Sequence, residues 1–134
     1  MTLFARAVFC TSRNGCKTQA EAIAKDDRAA TLVPDAAKRA QLASAARSAQ
    51  DSTLRLTIER GVGFHSAGLS KEDRALVEGL FRAGDIMVLC TTTTLAQGVN
   101  LPAHLVVVKS TQQYRGASGY EGACAHYLRF ACCP

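Results

Sequence analysis

Two short apolar runs, 86–90 and 105–108, flank a polar stretch that spans 91–103 and reads TTTTLAQGVNLPA. Ile86, Val88, Val106, Val107 and Val108 are β-branched, which suits strands. Their unbroken apolar character predicts strands covered on both faces. A strand therefore delivers a hydroxyl-rich loop, and a second strand follows it. In an open α/β sheet, loops at the carboxyl ends of strands line the ligand crevice. Four threonines there supply hydroxyl and backbone N–H groups suited to phosphate. Gly98 permits close backbone approach, and Pro102 stops a helix from running on.

The upstream chain alternates strand and helix patterns, which predicts a parallel sheet wrapped by helices. Residues 3–10 read as a buried strand and 11–15 as a turn. A helix is expected over 16–25, with Ala20, Ile23 and Ala24 on one face. Residues 26–35, which carry Pro34, read as a connection. The stretch 36–50 is rich in helix formers but poor in large apolar side chains, so an exposed, weakly packed helix is expected. Residues 52–60 form a further helix that Gly61 ends in the left-handed conformation. A short strand over 62–65 and a loop over 66–69 follow. Ser70 then caps a helix, with Asp73 completing a reciprocal cap. Leu76, Val77, Leu80 and Phe81 supply its core-facing stripe, and Gly84 closes it. After the strand at 105–109, residues 110–122 are polar, 123–134 have no clear period, and no internal repeat is found.

A chain of 134 residues holds one domain at most. Apolar residues make up 48% and charged residues 20%, enough for a real core and against wholesale disorder. No apolar run approaches the roughly 20 residues of a membrane span, so no membrane partner is expected. The apolar start of the chain reads as a strand and not as a signal peptide. The net charge of +5 is compatible with a polyanion partner, but the basic residues are scattered. Six cysteines show no framework spacing. Cys10 and Cys90 each end an apolar run and read as small buried hydrophobes in a reducing compartment. Cys124, His126, Cys132 and Cys133 match no zinc pattern, and no metal is expected.

Residues 11–18 end in Lys17-Thr18 but carry Thr11 and Cys16 where a phosphate loop needs glycine, which rejects a nucleotide cradle there. Ser12, Arg13 and Asn14 suit either contact with a phosphate backbone or an ordinary turn. A lone His65 at a strand end is more often structural than catalytic. Cys90 should be inert. Glu78 and Asp85 read as surface and helix-end charges, and Arg74 as part of a solvated face. Arg115, close after the last strand, is ambiguous in the same way.

Taken in order, these segments resemble a known set. Val8-Phe9-Cys10-Thr11-Ser12-Arg13 looks like helicase motif IV. GVGFHSAGL at 61–69, with Arg74, Glu78 and Phe81 downstream, resembles an H-x-A-G segment. TTTTLAQGVNLPA is similar to motif V, and 104–111 continues the likeness. Over residues 3–121 the chain resembles the Ski-like branch of DExH-box superfamily-two helicases, nearest to those that promote meiotic crossovers.

The resemblance implies a second RecA-like domain, a three-layer α/β fold whose parallel sheet carries helices on both faces and is incomplete at the C-terminus. Residues 1–121 would be that partial domain, and 122–134 a divergent, irregular tail. Ser12 and Arg13 would contact the strand, with His65 beside its track. Thr91, Thr92 and Thr93 would hold backbone phosphates, while Gly98 and Asn100 would sit at the ATP-facing edge. The implied partners are single-stranded nucleic acid, DNA favoured, and the first RecA-like domain of the same parent. The implied parent is nuclear and uses ATP and Mg²⁺ for 3′-to-5′ unwinding. No G-x-x-x-x-G-K-[ST], no Asp-Glu-x-His box and no Gly-Arg dipeptide occurs in the chain. The isolated chain is therefore expected to hold neither ATP nor Mg²⁺ tightly and to be inactive. The alternatives are a non-enzymatic nucleic-acid-binding or partner-docking fragment, and an RNA helicase of the spliceosomal or exosome type.

Overall fold

The computed structural model describes residues 5–92, 103–109, 112–114 and 120–122. Strand β1 (Arg6–Phe9) leads into α1 (Arg13–Lys25), a 3-10 helix (Asp27–Leu32), α2 (Ala36–Ser48) and α3 (Ser52–Glu59). Strand β2 (Val62–His65), α4 (Lys71–Ala83), β3 (Val88–Thr91) and β4 (Leu105–Val108) follow. A separate antiparallel pair joins β5 (Gln112–Tyr114) to β6 (Tyr120–Gly122).

The main sheet has the order β2-β3-β1-β4, and every neighbouring pair is parallel. Parallel neighbours need crossovers, and crossovers are right-handed. The path from β1 to β2 runs one way across the sheet, and the path from β2 to β3 runs back. Helices α1 and α3 therefore cover one face and α4 the other, the expected three layers, while α2 packs on α3. Gly63 faces α4, where a Cβ would lie 3.1 Å from Val77 Cγ1 and 2.7 Å from Ile86 Cδ1. Leu54, Ile58, Val62, Val77, Phe81, Ile86 and Leu89 fill the core.

Glycine ends two elements in the left-handed conformation, as expected: Gly61 after α3 and Gly84 after α4, both at φ 76°. Other expectations need correction. Helix α1 begins at Arg13, because Ser12 Oγ accepts the Gly15 N–H at 3.0 Å and caps it. The connection at 26–35 winds a 3-10 turn capped by Asp26, whose carboxylate accepts the Arg28 N–H at 2.9 Å. Helix α2 is largely exposed, as its composition predicts, yet Leu42 and Ala46 are buried and moor it. Among the described residues, strand β4 is the sheet edge and is not covered on both faces, with Leu105, Val107 and Val108 exposed. An apolar run does not distinguish a central strand from an edge.

Asp73 departs most. Its N–H donates to Ser70 Oγ at 3.1 Å, the ordinary half of the cap. Its carboxylate is buried and turns instead to the Gln50 and Asp51 N–H groups. Asp51 in turn caps α3 and meets Lys17 of α1 at 3.3 Å. Helices α1, α3 and α4 run antiparallel to the strands, so their N-termini gather on the carboxyl rim of the sheet, where this relay ties them.

Candidate functional site

The parallel register lines up the strand ends. Thr91 pairs with His65 on one side and with Phe9 on the other, and Phe9 pairs with Val108. The segments after β1, β2 and β3 thus leave the sheet side by side. The connections from adjacent β1 and β3 run in opposite directions across the sheet, the arrangement that opens a crevice in folds of this kind. Three backbone bonds stitch the rim: Cys10 N–H to Thr91 O at 2.8 Å, Thr92 N–H to His65 O at 3.4 Å, and Lys109 N–H to Phe9 O at 3.0 Å.

Ser12 and Arg13 are exposed at this rim. The Ser12 oxygen accepts from Gly15 N–H, which leaves its O–H free to donate. Helix α1 has no acid in its first turn, unlike α4 with Glu72 and Asp73 or α3 with Asp51 as its cap. Of the three gathered N-termini, that of α1 therefore keeps its positive pole unneutralised. Arg13 adds a cation without a carboxylate partner among the described residues. Its side chain reaches the loop after β2, where a methyl group on Gly68 would lie 3.7 Å from Arg13 Cδ.

His65 and Thr91 lie deeper. His65 is 5% exposed, and its Nε2 stands 2.7 Å from Glu78 Oε1. Glu78 is thus more than a surface charge: it is the ring's hydrogen-bond partner. Thr91 is fully buried, and its hydroxyl donates to Thr92 O at 2.9 Å. Thr92 is buried at the rim. Thr93, Gly98 and Asn100 lie outside the described residues, as do Arg115, Cys124, His126, Cys132 and Cys133. Arg74 is half-buried rather than solvated, and its Nε is buried without a partner among the described residues. Asp85 is a helix-end charge that meets Lys38 at 3.7 Å and accepts from Gln41 Nε2 at 3.3 Å.

The local pattern reads Asp73 as a cap and Glu78 as a surface charge, and neither Asp73's bonds to Gln50 and Asp51 nor Glu78's bond to His65 is visible in it. The spacing that would have found Glu78 is its place one turn beyond Arg74, on the helix that packs on β2.

Cys10, Cys16 and Cys90 are free and buried. Hydrogen bonding to Cys10, reinforced by burial, pushes the Cys16 and Cys90 thiols up. Among the described residues no cluster of His, Cys, Asp and Glu forms a metal site, and no helix is long and apolar enough to cross a membrane.

No family model matches the chain. Curated relatives do. The chain is 48% identical over 109 residues to the probable ATP-dependent DNA helicase HFM1 of Mus musculus, covering 81% of itself and 7% of that protein. It is 39% identical over 127 residues to the ATP-dependent DNA helicase homolog MER3 of Arabidopsis thaliana, covering 92% and 11%. It is 45% identical over 119 residues to the ATP-dependent DNA helicase Hel308 of Pyrobaculum calidifontis, covering 85% and 16%. The chain thus spans less than a fifth of each of these relatives. With a parallel sheet that gathers motif IV, the H-x-A-G segment and the start of motif V on one rim, the chain belongs to the Ski-like DExH-box superfamily-two helicases.

Proposed function

We propose that this chain is the strand-contacting part of the second RecA-like domain of an ATP-dependent 3′-to-5′ DNA helicase acting in the nucleus in meiotic crossover formation. The observation that carries the reading is the uncompensated N-terminus of α1 on the carboxyl rim, with Ser12 and Arg13 exposed beside it. Backbone N–H groups, a hydroxyl donor and a guanidinium suit a phosphodiester chain. Ser12, Arg13, Thr92 and Thr93 meet the backbone, while the buried His65 and Thr91 hold Thr92 by its N–H and its carbonyl. Gly98 and Asn100 face ATP across the cleft to the first RecA-like domain. Single-stranded DNA is favoured over RNA because the relatives above are named as DNA helicases.

Phosphoryl transfer needs a phosphate-loop lysine, Mg²⁺ ligands and a cation for the developing charge. The chain has no such motif. ATP and Mg²⁺ therefore belong to the parent protein, and the 134 residues alone release no phosphate from ATP. Fluorescence anisotropy with a labelled single strand tests the reading. Binding should be weak and fall steeply with salt, and Arg13→Ala should lower both the affinity and the salt slope, the latter by about one. Absence of binding at low salt, or binding indifferent to salt, overturns it.

A second reading, docking of a protein partner, has the exposed Leu105, Val107 and Val108 of edge strand β4 in its favour. Concentration-dependent association in gel filtration would support it, and a clean monomer would count against it.

A further inference from the structure

An ionised Glu78 can only accept, so its 2.7 Å contact with His65 Nε2 requires the imidazole to donate from that nitrogen. Glu78 makes this contact although Arg74 lies one turn earlier on the same helix, the ordinary surface partner of a glutamate at that spacing. The other ring nitrogen, Nδ1, is buried and without a partner among the described residues. Among the described residues, Glu78 is thus the ring's one hydrogen-bond partner. His65 also holds Thr92 through its main chain, where its carbonyl accepts the Thr92 N–H at 3.4 Å. Side chain and carbonyl belong to the last residue of β2, so fixing the first restrains the second.

We propose that Glu78 is a positioning residue for Thr92: it holds His65 in the Nε2–H form with the ring fixed, and His65 in turn holds Thr92 at the end of β3. The role of Thr92 as a strand contact comes from the function proposed above, on which the binding readout rests. The tautomer does not rest on it.

The test combines nitrogen-15 spectra of the His65 ring, single-strand affinity and melting temperature, measured on the whole chain. The wild type should show a single Nε2–H tautomer. Glu78→Ala should release the ring, giving mixed tautomers, about five- to tenfold weaker binding and a lowered melting temperature, since the buried imidazole loses its partner. Glu78→Gln should keep the ring tethered through its amide, holding affinity within about twofold, but admit the second tautomer, because an amide can donate as well as accept. A wild-type Nδ1–H form, unaltered affinity in Glu78→Ala, or a loss in Glu78→Gln as large as in Glu78→Ala overturns the proposal. If Glu78→Ala does not fold, a single unchanged tautomer in Glu78→Gln overturns it and a mixture supports it. If the wild type binds no strand, the functional reading fails, while the ring spectra still decide the role of Glu78.

Discussion

Asp73 and Asp51 join two helix starts: an Asp73 carboxylate oxygen accepts the Asp51 N–H at 3.0 Å, and its other oxygen accepts the Gln50 N–H at 2.8 Å. Asp73 is 2% exposed, so water does not readily replace those bonds. Asp73→Ala should cost about 3 kcal/mol, the scale of two bonds to a charged acceptor. Asp73→Asn, which keeps one acceptor oxygen, should cost less. Urea unfolding curves measure both, and a loss below about 1 kcal/mol for Asp73→Ala would contradict the role.

Acid should weaken the same joint. Burial of Asp51 favours its neutral form, but the Leu54 N–H, the Lys17 ammonium and the Thr53 N–H outweigh that and hold the carboxyl below its ordinary value. A group whose folded pKa is lowered contributes its stability fully above its unfolded value, about 4, and loses it as pH falls through the folded value. Asp51→Asn keeps the cap but does not titrate. Melting temperature against pH should therefore show a shallower acid limb in Asp51→Asn. Asp26, held low by Arg28, leaves a residual slope.

Thr91 offers a sharper test of how the rim meets a strand. Its hydroxyl points inward to Thr92 O. Thr91→Val should cost about 1 kcal/mol of stability and leave single-strand affinity unchanged. A marked loss of affinity at intact stability would restore Thr91 as a direct phosphate contact.

Two of the buried thiols, Cys16 and Cys90, should be inert in the native chain. Cys16 and Cys90 are fully buried, and hydrogen bonding to Cys10 together with burial pushes their thiols up. At pH 8, iodoacetamide should modify them only as fast as the chain unfolds. Site-resolved mass spectrometry reads this, and modification as rapid as in denaturant would exclude it.

What the sequence made legible follows from periodicity and from local chemistry. The stripe Leu76, Val77, Leu80 and Phe81 marked α4, and the glycines at 61 and 84 marked helix ends. Both signals act within a few residues of where they are read. The relay from Asp73 to Asp51 and the pair His65–Glu78 were not legible as such, since each joins elements that meet only after the sheet is ordered. The edge position of β4 was hidden for the same reason: strand order depends on crossovers, not on the apolar content of Leu105 to Val108. The sequence admits Ser12 as a turn residue or a phosphate contact, and the structure adds that its oxygen caps α1 through the Gly15 N–H.

The positive pole at the start of α1 originates in main-chain amides, which no side-chain substitution deletes. Trimming Arg13 therefore removes one unit of charge and leaves a dipolar background behind it. Unlike an imidazole or a carboxylate, that background carries no exchangeable charge, so the rim's pull on an anion persists from mildly acidic to mildly alkaline solution and yields mainly to ionic strength.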